Sequence, residues 1–199
     1  MIRCSIIIHS TAGNCFIMGS HLREAFQGLG YDARLYRVKD DDLHILANTQ
    51  ETTNDFYEDI ISLGEANTST LVKGSIIILG SPSRLGNVTP EMTAFMDTAW
   101  PLRESGELDG KFFGCFTSSV DDPAETAHTL ENMAHWAQSL GMVHIPYRNQ
   151  EKNGAQLQPS TGVAHFSGKD GAIRPSDAIG KALTAYAQSI AKVAGKINP

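Results

Sequence analysis

The sequence predicts an α/β protein in which a parallel sheet of five strands is covered on both faces by helices. Short runs rich in β-branched residues are typical of strands buried on both faces. These runs alternate along the chain with segments whose apolar residues recur every three or four positions, which is typical of amphipathic helices. The length of 199 residues, with 41% hydrophobic and 19% charged residues, suits one hydrophobic core. We therefore expect a single domain over residues 1–199.

The first part of the chain carries two strands with a helix between them. Residues 3–8 form a nearly continuous β-branched run and predict the first strand. A polar turn follows, and from Cys15 the apolar residues take helical spacing as far as Leu29, with Gly30 placed as the C-terminal cap. Residues 33–38 alternate apolar and charged side chains and predict the second strand.

The middle of the chain contains the most hydrophobic strand. Residues 39–54 are polar and acidic and indicate a solvated loop, and a helix is expected over residues 55–65. Residues 75–79 predict the third strand and run into a polar, glycine-containing loop. Thr89 then has the position of a helix N-cap, because Pro90 after it suits the first helical position.

The C-terminal half continues the alternation. Residues 111–117 predict the fourth strand, and Asp122 opens a sequence with the spacing of a capping box at the start of the next helix. Residues 142–145 predict a short fifth strand. Residues 146–175 are rich in glycine, glutamine, serine and asparagine and indicate a long irregular loop, after which the last helix starts near Ser176.

Charge, hydropathy and cysteine content exclude several classes of function. The 16 basic and 22 acidic residues leave a net charge of −6 without a basic cluster, which disfavours nucleic-acid binding. No apolar run is long enough to span a membrane, and the N-terminus lacks the layout of a signal peptide. Cys4, Cys15 and Cys115 are too scattered for a disulfide framework or a zinc site, and the seven histidines show no metal-ligand spacing. The sequence therefore predicts a cytoplasmic protein that handles small molecules, without a metal.

The first candidate site is the loop after the first strand, because ligands of such sheets bind beyond the carboxyl ends of the strands. This first loop combines hydroxyls, an amide and a glycine that can adopt positive φ, directly before a helix N-terminus, which favours a phosphate nest without metal. An ordinary capped turn is the alternative. Cys15, at the helix N-terminus, is also a candidate reactive thiol. The residues of the first loop are Ser10, Thr11, Ala12, Gly13, Asn14 and Cys15.

Two further loops end predicted strands. The second loop, residues 80–87, places the cation of Arg84 among backbone and amide donors, where it can stabilise an anion or negative charge that develops on a heterocycle. A surface arginine paired with a carboxylate is the alternative. The third loop, residues 117–122, offers hydroxyls and backbone amides, and its Asp122 is interpreted as a helix cap rather than a ligand.

The motifs of these loops resemble those of a known family. Residues 80–87 (GSPSRLGN) are close to the G-[ST]-P-T-R-[FY]-G-N motif of the tryptophan-repressor-binding-protein type of NAD(P)H:quinone oxidoreductase, a flavodoxin-like family. Residues 92–97 continue its M-x-x-F-[LM]-D pattern, and residues 105–111 (SGELDGK) match its S-G-x-L-x-G-K motif. Residues 168–171 (GKDG) follow in the same order, so the resemblance spans nearly the whole chain, apart from residues 39–70.

The resemblance implies a flavodoxin-like three-layer sandwich with strand order 2-1-3-4-5 and bound FMN. Members take a hydride from NAD(P)H, pass two electrons to a quinone and assemble as homotetramers. For this chain we therefore expect a quinone or a similar two-electron acceptor and a homo-oligomer, either a dimer or a tetramer. By this likeness residues 10–15 hold the phosphate, and Arg84 is the catalytic cation. The residues implied along the flavin edge are Ser83, Arg84, Leu85, Gly86 and Asn87, and those beneath the ring and ribityl chain are Ser118, Ser119 and Val120.

Two other functions stay open from the sequence. An electron-carrying flavodoxin without nicotinamide turnover would need aromatic side chains beside the flavin, and the three loops contain none. A flavin-binding interaction protein that has lost catalysis is compatible with the positions at which this chain departs from the family. These positions are Ala12, Arg103, Ser139 and Leu140.

Overall fold

Seven strands of the described residues form one sheet in which all paired strands are parallel. The structure, a computed structural model, describes residues 2–148 and 158–197. The order across the sheet is β3-β2-β1-β4-β5-β6, and β7 pairs with the end of β5. The strands are β1 (Arg3–Ile8), β2 (Asp32–Arg37), β3 (Gly64–Glu65), β4 (Ile76–Pro82), β5 (Phe112–Ser119), β6 (Val143–His144) and β7 (Val163–Phe166).

The α/β architecture with a parallel sheet is confirmed, whereas the prediction of five strands is wrong, because the described residues form a sheet of seven. The full strand order therefore differs from the predicted one, although the five predicted strands, which are β2, β1, β4, β5 and β6, keep the relative order 2-1-3-4-5. The sheet has two more strands than predicted, because β3 pairs with β2 as an edge strand and β7 pairs with the end of β5. The two extra strands have only two and four residues, so they are too short for hydrophobic periodicity to reveal them. β7 also lies inside residues 146–175, which were expected to be irregular throughout, and residues 149–157 of that stretch lie outside the described residues.

The described residues contain nine helices. Two predicted N-caps are confirmed, since the Thr89 hydroxyl accepts a hydrogen bond from the N–H of Met92 at 3.3 Å and the Asp122 carboxylate accepts one from Ala124 at 2.7 Å. None of these helices is both long and apolar enough to cross a bilayer. The helices are α1 (Asn14–Gly28), α2 (Leu43–Thr49), α3 (Glu51–Asn54), α4 (Tyr57–Ile61), α5 (Thr68–Lys73), α6 (Pro90–Asp97), α7 (Trp100–Ser105), α8 (Pro123–Ser139) and α9 (Asp177–Ile197).

The prediction of a solvated loop over residues 39–54 is wrong, because this segment contains α2 and α3. Leu43 and Ala47, four residues apart, are buried on one face of α2, but the polar side chains around them hide this short pattern in the sequence. The helix expected over residues 55–65 is shorter than predicted and forms only α4, after which the chain enters β3.

The hydrophobic core lies on both faces of the sheet. On one face, Ile6 and Ile8 of β1 pack with residues of α1 and α9, and on the other face Ile7 packs with residues of α5, α6 and α8. These β1 side chains are fully buried, as a strand covered on both faces requires. The two helical layers therefore fix the sheet, and the carboxyl ends of its central strands are left for the loops that form the site.

Candidate functional site

The carboxyl ends of β1, β4 and β5 open onto a polar cleft of about 550 Å³. Ten of the predicted site residues line this cleft: Ser10, Thr11, Ala12, Asn14, Cys15, Ser83, Arg84, Ser118, Ser119 and Val120. Gly13, Leu85, Gly86 and Asn87 do not line it. Three loops that are far apart in sequence are thus brought to one place, as expected for parallel strands whose ends share an edge of the sheet.

Gly13 allows the first loop to turn into α1. Its φ of 89° lies in the left-handed region, and a Cβ built on it would collide with the ring of Phe56, so only glycine fits this position. Gly13 is also the N-cap of α1 and provides no capping side chain. The Ser10 hydroxyl accepts a hydrogen bond from the N–H of Phe16 at 3.2 Å. A helix N-terminus beside hydroxyls favours an anionic group.

Asn14 joins the first loop to the segment between β7 and α9. Its side chain is 4% exposed, and its Nδ2 donates a hydrogen bond to the carbonyl oxygen of Gly171 at 2.7 Å. Gly171 itself has a φ of 69° and packs against Ala12, so this segment forms a wall of the cleft directly beside the first loop.

Cys15 is not a reactive thiol in this fold. Its side chain is buried, and burial raises the pKa of the thiol to about 12, although Ser118 and Arg84 act in the opposite direction. The neutral thiol dominates at physiological pH, whereas nucleophilic chemistry requires the thiolate. Cys15 therefore contributes packing at the floor of the cleft.

Ser83 anchors the second loop to the end of β5. The N–H of Ser83 donates to the carbonyl oxygen of Ser118 at 2.8 Å, and its hydroxyl lies 2.7 Å from the hydroxyl of Thr129 on α8. Arg84, the next residue, is exposed at the cleft, and no carboxylate of the described residues lies within ion-pair distance of it. The alternative of a surface arginine paired with a carboxylate therefore does not describe this side chain.

The tip of the second loop turns away from the cleft. Arg84 and Asn87 exchange two backbone hydrogen bonds of 2.8 and 3.0 Å around Leu85 and Gly86, whose φ values of 52° and 78° are those of a two-residue hairpin turn. Leu85 is 89% exposed. Leu85, Gly86 and Asn87 line a separate recess of about 390 Å³ together with His128, Glu131, Asn132 and His135 of α8.

Ser119 carries a buried polar atom without a partner. Its backbone carbonyl oxygen accepts hydrogen bonds from the N–H of Ser167 at 2.7 Å and from the Ser167 hydroxyl at 3.0 Å. The Ser119 hydroxyl is buried, and no described residue forms a hydrogen bond with it, although Ser119 lines the cleft. An orphaned hydroxyl in this position is a group that a polar ligand can satisfy.

Sequence reasoning missed two walls of the cleft. One comes from the α2–α3 segment, which was expected to be a solvated loop, and the other comes from the segment between β7 and α9. The Gly168–Gly171 motif was the only signal for the second wall, and no role was inferred for it. The residues missed are Gln50, Glu51, Thr52, Ser167, Lys169, Asp170 and Gly171.

A second group of titratable side chains lies beside the end of β1, outside the lining of the cleft. Nε2 of His9 lies 3.0 Å from Asp40 and 3.8 Å from Glu91 of α6. The side chains of His9 and Asp40 are 4% and 6% exposed. The hydrogen bond from His9 lowers the pKa of Asp40, and backbone N–H groups of the following residues act in the same direction. These contacts hold the end of β1 against α6 just before the first loop.

Comparison with known proteins gives consistent matches. A family model described as NADPH-dependent FMN reductase matches residues 5–149. A protein of Deinococcus radiodurans named NAD(P)H dehydrogenase (quinone) is 28% identical over 145 residues, which cover 73% of this chain and 72% of the relative. A protein of the same name from Chromohalobacter salexigens is 25% identical over an alignment of 206 positions, which covers 99% of each chain.

Solved structures are similar in fold. A flavodoxin, WrbA-like protein from Agrobacterium tumefaciens matches with a TM-score of 0.65 at 18% identity, covering 98% of this chain and 99% of that chain. An archaeal flavodoxin matches with a TM-score of 0.60 at 17% identity, covering 100% of both chains. At this level of identity the likeness concerns the fold alone, and it confirms the flavodoxin-like architecture.

Proposed function

Because the chain belongs to the family of NADPH-dependent FMN reductases, we propose that it is an FMN-dependent oxidoreductase that takes electrons from NAD(P)H and passes them to a quinone or similar two-electron acceptor. The names of the two bacterial relatives support the choice of donor and acceptor. The observation that carries the proposal is the cleft itself. In it meet the N-terminus of α1 after Gly13, the Ser119 hydroxyl and the Arg84 guanidinium, and neither of these two side chains has a partner among the described residues.

The residues present fit FMN. The cleft volume of about 550 Å³ lies in the range of small-molecule sites. The Gly13 turn suits a phosphate at the N-terminus of α1, and the Ser119 hydroxyl offers an unused hydrogen-bonding group further along the cleft. The first loop therefore suits an anion, and the Ser119 hydroxyl suits a polar group of the ligand.

We assign the residues to the parts of FMN as follows. The first loop holds the phosphate. Ser83 and Arg84 border the flavin ring, and the turn formed by Leu85, Gly86 and Asn87 presents Arg84 to the cleft. The residues beneath the ring and ribityl chain are Ser118, Ser119 and Val120.

Bound FMN supplies the redox chemistry, since the flavin accepts a hydride and releases two electrons. The protein contributes position and charge. Arg84 is the catalytic cation of the proposal, because its guanidinium, which no described carboxylate pairs with, favours negative charge that develops in the cleft. The Cys15 thiol stays protonated beside it and therefore does not oppose that charge.

An electron-carrying flavodoxin is the weaker alternative. Such a carrier would need aromatic side chains beside the flavin, and the described residues that line the cleft include no phenylalanine, tyrosine or tryptophan. An acceptor molecule can therefore approach the cleft without displacing a ring.

We also propose that residues 1–199 form a single domain that acts in the cytoplasm as a homo-oligomer, either a dimer or a homotetramer. The hydrophobic clusters on both faces of the sheet pack against the same single sheet, which supports a single domain. Three free cysteines support a reducing compartment. The resemblance to a family whose members assemble as homotetramers is what supports the assembly. The molar mass in solution, measured by light scattering, tests the assembly.

The experiment that tests the function has two stages. FMN is first titrated into the purified chain, and binding is expected to shift the flavin absorption bands and quench the fluorescence. The complex is then titrated without oxygen with NADH and with NADPH, and bleaching of the flavin followed by reoxidation with a soluble quinone is expected. Absence of FMN binding contradicts the whole proposal, whereas binding without bleaching leaves the carrier or a flavin-binding interaction protein.

A further inference from the structure

Arg174, between β7 and α9, forms hydrogen bonds with the backbone of the first loop. Its Nη1 donates to the carbonyl oxygen of Ala12, and the same atom lies 3.5 Å from Oδ1 of Asn14 and 3.4 Å from the carbonyl oxygen of Gly171. No cation occurs within the first loop itself. A permanently charged side chain that lies 162 residues from Ala12 in the sequence therefore holds the backbone of this loop in place.

The same guanidinium also contacts the segment between α3 and α4. It lies 4.6 Å from the ring centroid of Phe56, in the geometry of a cation–π contact, and its Nη2 lies 3.6 Å from a carboxylate oxygen of Asp55. Phe56 is the ring that occupies the space beside Gly13. Arg174 thus joins three parts of the cleft: the first loop, the wall that contains Gly171, and the segment that follows the α2–α3 wall.

The contact with Ala12 has a consequence for the next peptide N–H. In a trans peptide the carbonyl group and the following N–H point in opposite directions. Because Arg174 holds the carbonyl oxygen of Ala12, the N–H of Gly13 points away from the guanidinium, on the opposite side of the peptide plane. The φ of 89° at Gly13 then directs the chain into α1.

We propose that Arg174 is a positioning residue for the phosphate of FMN: it fixes the Ala12–Gly13 peptide so that the first loop presents its N–H groups to that phosphate. This inference rests on the proposed function. Arg174 acts through the backbone of the loop, so its effect is specific to the phosphate and does not extend to the flavin ring. Riboflavin, which has the same ring and ribityl chain but no phosphate, separates the two effects.

The test compares FMN and riboflavin binding to the full chain and to Arg174→Gln, by fluorescence quenching. We expect the variant to lose about tenfold or more in affinity for FMN and to keep the riboflavin affinity of the parent. Arg174→Lys keeps the charge but not the planar set of donors, so an intermediate FMN affinity is expected. At saturating FMN, the turnover number of Arg174→Gln should return to that of the parent, since Arg174 is not placed at the reacting atoms.

Arg34→Gln is the matched control, because Arg34 is also paired with an aspartate, at 3.0 Å, but lies opposite Ser5 in the sheet and does not line the cleft. It should bind both flavins as the parent does. Equal weakening of FMN and riboflavin in Arg174→Gln, or no change in either, overturns the inference for Arg174 alone. A parent chain that binds neither flavin overturns the proposed function together with this inference. If Arg174→Gln does not fold, Arg174→Lys decides, and equal affinity of this variant and the parent for FMN overturns the inference.

Discussion

Single residues in left-handed conformations shape the loops around the cleft. Gly13 has a φ of 89° and faces Phe56, and Leu85 with Gly86 forms the turn that carries Arg84. Leucine rarely adopts a φ of 52°, because its Cβ approaches the following carbonyl oxygen. The Arg84–Asn87 backbone pair holds this conformation in place.

Replacing Gly13 by alanine should abolish FMN binding. The added Cβ meets the Phe56 ring, and the left-handed conformation of a non-glycine residue costs about 1–2 kcal/mol, so the first loop must change its path. Equilibrium titration with FMN measures the effect. Gly28→Ala is the control, since a Cβ there has no neighbour within 4 Å. An FMN affinity of Gly13→Ala equal to that of the control would show that the phosphate binds elsewhere.

Replacing Arg84 by alanine should slow flavin reduction more than it weakens FMN binding. Loss of a preorganised group that stabilises developing charge typically costs about a hundredfold to a thousandfold in rate. Stopped-flow reduction by NADPH, at FMN concentrations that saturate the variant, separates the rate from the affinity. Arg34→Ala serves as the control. Equal reduction rates in Arg84→Ala and the parent would remove the catalytic role of Arg84.

At the scale of secondary-structure elements, polar contacts hold the ends of strands in place. His9, directly after β1, contacts Asp40 after β2 and Glu91 in the first turn of α6. The Asp40 carboxylate also accepts the N–H of Asp42 at 2.9 Å, so both of its oxygens are in use. The start of the first loop is therefore held by side chains of two neighbouring elements.

Replacing Asp40 by asparagine should lower the free energy of unfolding at neutral pH by about 1–3 kcal/mol, since a buried hydrogen bond between charged or polar partners is lost. The His9 contact lowers the pKa of Asp40 below its ordinary value of 3.8. This carboxylate therefore stabilises the fold above that value, and the contribution is lost as the pH falls through the lowered pKa. Urea denaturation at several pH values should show the difference between parent and variant shrinking below about pH 4.

Asp41→Asn is the control for this pH dependence. Its carboxylate is 75% exposed and pairs with Lys39 on the surface, so the change should cost less than about 0.5 kcal/mol. An Asp40→Asn variant as stable as the Asp41→Asn variant at neutral pH contradicts the role given to the His9–Asp40 contact.

At the scale of the whole molecule, three walls from distant parts of the sequence form one cleft. Residues of the first loop, the α2–α3 segment and the segment before α9 line this cleft together, so a ligand that fills it would contact all three. Binding therefore stabilises the folded state as a whole, because these contacts do not exist in the unfolded chain.

FMN at a hundredfold excess over its dissociation constant should stabilise the protein by about 2.7 kcal/mol. For a chain of this length that corresponds to a rise of about 5–10 °C in Tm. Thermal unfolding followed by circular dichroism, at increasing FMN concentrations, measures the rise. Adenosine monophosphate, which has a phosphate but no flavin ring, is the control and should have a smaller effect. A Tm that does not depend on FMN concentration contradicts binding in the cleft.

The elements that could be predicted from the sequence are those with a strong local signal. β1 has the predicted bounds, and Thr89 and Asp122 cap helices as expected, because strand periodicity and capping depend on neighbouring residues. The α2–α3 segment and β7 were missed because each element is short, so that no periodic pattern of apolar residues can develop, and their apolar residues become buried only through contact with the rest of the fold.

The sequence by itself determined the α/β architecture and the three loops, because hydrophobic periodicity and turn residues are local properties of the chain. Only the tertiary structure decided which side chains complete the cleft. Arg174 and Ala12 are 162 residues apart, and no local pattern connects them. The pKa of Cys15 likewise depends on burial by distant residues. The position of Cys15 at a helix N-terminus suggests a thiolate from the sequence, whereas burial keeps the thiol neutral in the fold.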